Sequence, residues 1–373
     1  MLLPSHGSNS HYLYESLKIA KPSSIIDFSA NINPLGPSSN LEERWLDSFH
    51  LVKDYPDPQA EGLLRLLAAK EKLTTDMILI GNGGAELITL IGRFLSGKKV
   101  LILQPSFSEY EQACISSGCE VSYHILKEGS WELELEPLLP LIEKVDALFL
   151  CTPNNPTGVS FKEEAVLQLL EECKSRQCLV IIDEAFHDFL DHDFTYARGS
   201  DPQHGTAIKY FPNLLILRSL TKMYAIPGLR LGFLIGDPDI VGQISRFRPH
   251  WSVNSLAIMA GELSLRDEKH IEATRNLIRQ ERTKLIGFFK KYDFSISDSQ
   301  VNFYLLRDER NRDSLSLLKF LMEKGIVPRH TYNFPGLDGR WLRFAVKNSQ
   351  DNERLMEVLE QWRNHPSFLS QEE

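Results

Sequence analysis

Short apolar runs alternate with longer segments of helical period through the middle of the chain. The runs are rich in valine, isoleucine and leucine and cover residues 77–80, 100–103, 147–151, 178–183, 214–218 and 231–235. Between them, segments 84–95 and 163–173 place apolar residues three and four apart, as a helix packed on a sheet requires. Continuous apolar strands separated by amphipathic helices predict an α/β fold with a mostly parallel sheet between helices.

The remainder of the chain predicts a second, smaller α+β domain. The stretch from Trp251 to about Lys291 contains no proline and predicts one long helix that bridges two domains. After it, the pattern predicts strands over 294–306, 326–330 and 340–346 and helices over 313–324 and 350–363.

We therefore expect three parts in this chain of 373 residues. An N-terminal segment, 1–50, packs with the small domain, and residues 51–252 form the large domain. Residues 253–373 form the interdomain helix and the small C-terminal domain.

Charge and composition narrow the classes of function. The formal net charge is −9 and the lysines and arginines are scattered, which argues against a nucleic-acid partner. The N-terminus lacks a basic start followed by an apolar run, and nowhere do about 18 apolar residues run together, so we expect a cytoplasmic protein with no membrane segment. The five cysteines contain no Cys-x-x-Cys motif, which favours reduced thiols and no metal.

The residues that follow each apolar run are the candidates for a site, because ligands bind at the carboxyl ends of strands in an open parallel sheet. Gly83 and Gly84 follow the first run, where glycines and the free amides of a helix start can hold a phosphate. Glu86 stands where the dinucleotide fingerprint needs a third glycine, which argues against a nicotinamide dehydrogenase. Phe107, after the second run, offers an aromatic face to a flat cofactor. An ordinary turn and a core aromatic would explain the same residues.

Polar side chains follow the later runs. Asn155 lies in a proline-rich turn, and Asp183 ends a buried strand, where a carboxylate needs a cationic partner such as a ring nitrogen. Segment 218–232 then supplies Ser219, Lys222 and Arg230. A lysine that binds an aldehyde needs a pocket that lowers its pKa, and a phosphate needs hydroxyls and a fork-shaped cation. A solvated loop with ordinary charged residues is the alternative.

Taken together, these segments resemble the fold-type I enzymes that depend on pyridoxal 5′-phosphate (PLP), in the histidinol-phosphate aminotransferase group of aminotransferase class I/II. Within that group they look most like the threonine-phosphate decarboxylases. Besides the strand ends, the motifs that carry the resemblance lie at 6–9, 27–36, 251–254 and 332–338. The resemblance implies a mostly parallel seven-stranded sheet between helices, a smaller α+β domain, and PLP as the cofactor.

The resemblance also implies a role for each matching residue around the cofactor. Lys222 would bind PLP covalently, Asp183 would pair with the pyridine nitrogen, and Asn155 would bond the ring hydroxyl and contribute to substrate binding. Phe107 would stack on the ring. The phosphate of PLP would be held by Gly83, Gly84, Ser219 and Arg230.

Other residues of the resemblance concern the substrate and a second subunit. Arg343 would grip the substrate α-carboxylate, and Tyr55 would reach across a homodimer to the neighbour's cofactor. For a phosphate on the substrate, the candidates near the pocket mouth are His6, Asn31 and Arg329. We expect a homodimer with shared active sites and a small phosphorylated amino acid as the substrate.

Two positions bear on the reaction. Phe186 stands where related aminotransferases usually carry tyrosine, and Ile32 stands where they carry an acid; both departures fit the decarboxylases. Ser8, in contrast, replaces a glycine usual in their N-terminal motif. The resemblance thus implies decarboxylation of L-threonine O-3-phosphate to (R)-1-amino-2-propanol phosphate in cobalamin biosynthesis. The alternatives are a histidinol-phosphate or related aminotransferase, and a non-catalytic PLP-binding protein.

Overall fold

A computed structural model describes residues 3–191, 195–197 and 207–364 of the chain. The strands of these residues form three sheets, of seven, four and two strands. In chain order the strands are β1 (Ile26–Asp27), β2 (Ile78–Gly81), β3 (Lys99–Gln104), β4 (Glu120–Ile125), β5 (Ala147–Cys151), β6 (Leu179–Asp183), β7 (Leu214–Ser219), β8 (Gly232–Gly236), β9 (Ser295–Ile296), β10 (Phe303–Arg307), β11 (Ile326–Val327), β12 (Arg329–His330) and β13 (Leu342–Ala345).

Helices cover both faces of the large sheet. In chain order they are α1 (Ser10–Leu17), α2 (Ser39–Trp45), α3 (Glu61–Glu71), α4 (Gly83–Phe94), α5 (Glu109–Ser116), α6 (Leu139–Ile142), α7 (Glu163–Ser175), α8 (Ala207–Tyr210), α9 (Pro238–Ser245), α10 (Ser255–Ser264), α11 (Glu268–Lys291), α12 (Leu315–Glu323) and α13 (Ser349–Arg363). Short 3-10 helices lie at Leu46–Val52, Thr75–Met77, His187–Phe189 and Pro227–Leu229.

The large sheet has the strand order β2-β8-β7-β6-β5-β3-β4 among the described residues. Strands β3 to β7 pair in parallel, whereas β8 is antiparallel to both β7 and β2. The expected α/β fold with a mostly parallel seven-stranded sheet is therefore confirmed. Since β8 runs the other way, the residues just before it lie at the same edge as the carboxyl ends of the parallel strands.

Alternate residues of the central strands enter two separate cores, which explains why the strands are apolar throughout. Leu148 and Leu150 of β5 pack into one core, whereas Phe149 on the same strand packs into the other. Helix α7 contributes to the first core, and α4 contributes to the second. Both faces are covered, as expected for parallel strands.

Three predicted elements differ from the structure. The strand predicted over 326–330 is two short strands, β11 and β12, that belong to different sheets. The single long helix from Trp251 to Lys291 is wrong, because α10 ends at Ser264 and α11 begins at Glu268. Asp267 caps the new helix by accepting a hydrogen bond from the backbone N–H of His270. The predicted strand over 294–306 is likewise two short strands, β9 and β10, that pair antiparallel.

The N-terminal segment lies against the C-terminal sheet. Strand β1 pairs in parallel with β11, and the phenol of Tyr14 on α1 donates to the backbone carbonyl of Met322. The small sheet has the order β12-β13-β10-β9 in the part of the chain described. Within those residues no helix combines the length and apolar character needed to span a bilayer. All five cysteines lie in the described part of the chain, and each is a free thiol.

Candidate active site

A cavity of about 630 Å³ opens at the carboxyl edge of the large sheet, bounded on its other side by the N-terminal segment and β13. Its wall contains most of the residues that the sequence singled out. They are His6, Asn31, Gly84, Phe107, Asn155, Asp183, Ser219, Lys222, Arg230 and Arg343. The strand order explains the convergence, because β3, β5, β6 and β7 end at this edge and β8 starts there.

Lys222 lies in the turn that follows β7, with its side chain largely enclosed by the cavity. Burial lowers the pKa of its ammonium from 10.5 to about 8, and the positive charges of Arg343 and Arg230 act in the same direction. The charge of Asp183 opposes them in part. A fraction of this amine is therefore neutral, and able to attack an aldehyde, at near-neutral pH.

Asp183, the last residue of β6, is buried beneath the cavity. Burial raises the pKa of its carboxyl above the usual range, while hydrogen bonds from Tyr110 and from the Ala185 backbone lower it, as does the charge of Lys222. The Tyr110 phenol donates to Oδ2 over 2.5 Å and the Ala185 N–H donates to Oδ1 over 2.8 Å. The cavity side of this carboxylate remains available to a cationic group of a ligand.

The opposite end of the cavity is formed by the start of α4. Gly84 has no atom within 4 Å of the place where a β-carbon would stand, so its backbone faces open space. Beside it, the hydroxyls of Ser219 and Thr221 lie 2.8 Å apart. Gly83 does not line the cavity; it has a φ of +77°, and a β-carbon there would lie 2.8 Å from a guanidinium nitrogen of Arg230. Glycine at 83 thus leaves room for Arg230.

Arg343 enters the cavity from β13 of the small sheet. It donates to the backbone carbonyl of Ser29 over 2.7 Å and to the side-chain oxygen of Asn155. Burial, together with the charge of Arg329, lowers the pKa of its guanidinium to about 9. Among the described residues no carboxylate forms an ion pair with Arg343, so an anionic ligand would supply the missing charge.

The remaining predicted residues lie at the rim of the cavity or away from it. His6 lines the mouth and pairs with Glu109 over 3.1 Å, and Asn31 is buried in the wall with no described partner for its side-chain oxygen. Arg329 does not line the cavity, because it donates to the backbone carbonyl of Ser5 behind the wall. Tyr55 does not line it either: its side chain is 82% exposed and packs against Trp251.

Sequence reasoning missed the partners that hold these side chains in place. One of them is Tyr110, which follows Phe107 by three residues and lies in the first turn of α5. The Ser29 carbonyl, which holds Arg343, carries no sequence signal at all. Phe186 packs on Phe303, with ring centroids 4.7 Å apart, and presents no hydrogen-bond donor to the cavity.

The residues present fit PLP at its phosphate, its ring nitrogen and its aldehyde. The open amide face of α4, with Ser219, Thr221 and Arg230 beside it, suits a phosphate. Asp183 suits a protonated ring nitrogen, and Lys222 suits the aldehyde.

Comparisons with known proteins agree with this arrangement. The family described as "Aminotransferase class I and II" matches residues 23–359. The threonine-phosphate decarboxylase of Salmonella typhimurium is 36% identical over 358 residues, which cover 95% of each chain.

Two solved structures have the same fold. The histidinol-phosphate aminotransferase of Clostridium acetobutylicum has a TM-score of 0.83 and 31% identity, over 90% of this chain and 98% of that one. The L-threonine-O-3-phosphate decarboxylase of Porphyromonas gingivalis has a TM-score of 0.77 and 26% identity, over 90% and 99%. The chain therefore belongs to the aminotransferase class I and II family, whose enzymes use PLP.

Proposed function

We propose that this chain is a PLP-dependent carboxy-lyase that converts L-threonine O-3-phosphate to (R)-1-amino-2-propanol phosphate in cobalamin biosynthesis. The observation that carries the proposal is the 36% identity with a threonine-phosphate decarboxylase over nearly the whole of both chains. The cavity supports an anionic amino acid as the substrate, because Arg343 lies in its wall and is not needed by the cofactor, whereas Lys222 and Arg230 are assigned to PLP.

The roles proposed for the cofactor site are those that the resemblance implies, and the geometry of the cavity supports them. Asp183 pairs with the ring nitrogen, Phe107 stacks on the ring, and Lys222 binds the aldehyde. The phosphate is held by the start of α4 at Gly84 and by Ser219 and Arg230, whereas Gly83 contributes by leaving room for the Arg230 side chain.

Bound PLP supplies an electron sink for whichever bond to the substrate Cα lies perpendicular to its ring. Arg343 selects that bond, because it and Asn155 hold the α-carboxylate at the small-domain side of the cavity. The Cα–carboxyl bond would break first, carbon dioxide would leave, and the electron pair of that bond would stay with the substrate. The ammonium group of Lys222 would then donate the proton that takes the place of the carboxylate on Cα, and no second amino acid is consumed.

The substrate phosphate is assigned to the wall formed by the N-terminal segment. Asn31 has a buried side-chain oxygen with no partner among the described residues, and His6 stands at the mouth. Arg329 lies behind this wall, with its guanidinium bonded to the Ser5 carbonyl and to Asn333. In this proposal Arg329 acts on the phosphate through its charge and through the segment that it holds.

A homodimer with shared active sites is part of the proposal. Large apolar side chains are exposed on the stretch of chain that leads to Tyr55, with 85% of Leu46 and 74% of Phe49 accessible. An apolar groove of about 410 Å³ runs from this stretch to residues 225–229, just after Lys222. A second copy that covers these residues would bring its own Tyr55 towards the cofactor.

The domain boundaries and the cellular location remain proposals as well. The pairing of β1 with β11 and the bond from Arg329 to Ser5 support an N-terminal segment that belongs with the small domain. A cytoplasmic location would suit a small-molecule enzyme of this kind.

The proposed reaction is tested by incubating the PLP-loaded enzyme with threonine phosphate labelled in its carboxyl carbon. We expect labelled carbon dioxide in amounts equal to the amine formed, without any 2-oxo acid present. Lys222→Ala provides the control and releases none. If label stays in solution while 2-oxoglutarate and histidinol phosphate are converted to glutamate, the enzyme is an aminotransferase and the proposed function is wrong.

A further inference from the structure

Tyr110 occupies a fully buried position directly beneath the cavity. It is the second residue of α5, and its ring stacks on Phe149 of β5 with centroids 5.3 Å apart and planes 20° from parallel. Phe107 meets the same ring edge-on at 5.9 Å. The phenol is thus fixed by packing on two sides, and its hydroxyl can reach few partners.

The hydroxyl of Tyr110 donates to Oδ2 of Asp183 and also lies beside the thiol of Cys151. When Asp183 is ionised, the bond from Tyr110 is charge-assisted and stronger than one between neutral groups. Burial is the main cause that raises the pKa of the Tyr110 phenol well above its usual value, and the nearby Asp183 and Cys151 raise it further. The phenol therefore keeps its proton and is the donor in the hydrogen bond to Asp183. Together with the Ala185 amide on Oδ1, each carboxylate oxygen of Asp183 receives one donor from the protein.

We infer that Tyr110 is a positioning residue for Asp183: its phenol holds the buried carboxylate ionised and fixed for pairing with the ring nitrogen of the cofactor. A buried carboxylate with one donor fewer would protonate or turn, because an unpaired buried charge is costly. The inference rests on the orientation of PLP proposed above. It adds a residue that acts through Asp183 without touching the reacting atoms.

The test compares two aldehydes, PLP and 1-deazapyridoxal 5′-phosphate, in which a C–H group replaces the ring nitrogen. Both are titrated into apoenzyme and their dissociation constants are measured by fluorescence. The ratio of the two constants reports the pairing with Asp183 alone, since both compounds share the aldehyde and the phosphate. Wild-type protein should prefer PLP, and Asp183→Asn should lose most of that preference.

Tyr110→Phe keeps the ring and removes only the hydroxyl, so we expect the preference for PLP to fall about tenfold. Tyr123→Phe is the matched control, because that phenol also bonds a carboxylate, Glu111, but lies exposed on β4 outside the cavity. Its preference should equal that of wild type. If Tyr110→Phe does not fold, Phe149→Leu replaces it in the test, because it removes the ring under Tyr110 but keeps the phenol. We expect its ratio of dissociation constants to lie between those of wild type and Asp183→Asn.

The outcomes separate this inference from the proposed function. A Tyr110→Phe protein that prefers PLP as strongly as wild type, or that loses affinity for both aldehydes equally, overturns the role of Tyr110. A wild-type protein that binds both aldehydes equally overturns the pairing of Asp183 and the inference with it. The carbon dioxide assay decides the reaction independently of either result.

Discussion

At the scale of one residue, the cavity changes the protonation of Lys222. The same amine would be almost fully charged at neutral pH if it were exposed, because its ordinary pKa is 10.5. Enclosure and the neighbouring cations Arg343 and Arg230 disfavour the charged form. The cations that would bind the anionic groups of the ligands therefore also keep the lysine reactive.

The pH dependence of cofactor loading follows from this lowered pKa. A lowered lysine pKa means that the neutral amine becomes dominant above about pH 8, so the rate at which apoenzyme binds PLP covalently should rise through that pH and then level off. Stopped-flow absorbance across neutral and alkaline pH would measure it. Arg343→Gln should move the midpoint to higher pH. A wild-type midpoint near 10 would contradict the lowered pKa.

At the scale of elements, the start of α4 and the loop before β8 form one unit. Gly83 has a positive φ, and the guanidinium of Arg230 lies where a β-carbon at this position would stand. The conformation of the helix start therefore determines where Arg230 can lie. Neither segment makes a phosphate site alone, since the amides supply partial charges and Arg230 supplies a full one.

Substitution of Gly83 tests this unit. Alanine there should displace Arg230 and weaken PLP binding about tenfold or more, besides costing about 1 kcal/mol of unfolding free energy for its backbone conformation. Gly97→Ala is the control, because Gly97 has a φ of +74° and open space around it. Urea unfolding should show the same loss of stability for both variants. Titration with PLP should show a loss of affinity for Gly83→Ala alone, and equal affinities of the two variants would contradict the dependence of Arg230 on Gly83.

The elements that the sequence predicted well are those fixed by local pattern. Strands β3, β5 and β6 are continuous apolar runs, because both of their faces meet a core. Strand β4 was missed because it is an edge strand whose residues are largely exposed and mixed in polarity, unlike the other edge strand, β2, which is buried. The break between α10 and α11 was missed because neither glycine nor proline marks it; Asp267 begins the second helix by capping.

The candidate site divides in the same way. Lys222 and Asp183 follow recognisable strand ends, so their meeting could be predicted from topology. The hydrogen bond from Tyr110 to Asp183 depends on packing across α5 and β6, which a linear pattern does not contain. For the same reason the sequence could not place Arg329 behind the cavity wall, where it holds the N-terminal segment.

At the scale of the whole molecule, the exposed apolar stretch around Tyr55 points to a site completed by a second subunit. If Tyr55 contributes to the neighbour's cavity, each active site uses Lys222 of one subunit and Tyr55 of the other. In a hybrid dimer of one Lys222→Ala subunit and one Tyr55→Ala subunit, both substitutions then fall in the same site. Each hybrid then keeps one intact site. Mixing two inactive variants should accordingly restore activity.

This complementation can be measured after the two variants are unfolded and refolded together in equal amounts. Random pairing makes half of the dimers hybrid, so about one quarter of wild-type activity should return. Each variant refolded alone is the control. An active monomer by light scattering, or no recovery in the mixture, would contradict the shared site.

Two buried positive charges face each other in the small sheet, and an anionic ligand would reduce their repulsion. Arg329 and Arg343 stand directly opposite each other on β12 and β13, and no described carboxylate forms an ion pair with either. Like charges in such register repel, and each guanidinium has lost most of its water. We expect a neutral side chain of similar shape at either position to raise the free energy of unfolding and to lower activity, because a doubly anionic ligand would compensate the two positive charges that otherwise repel each other.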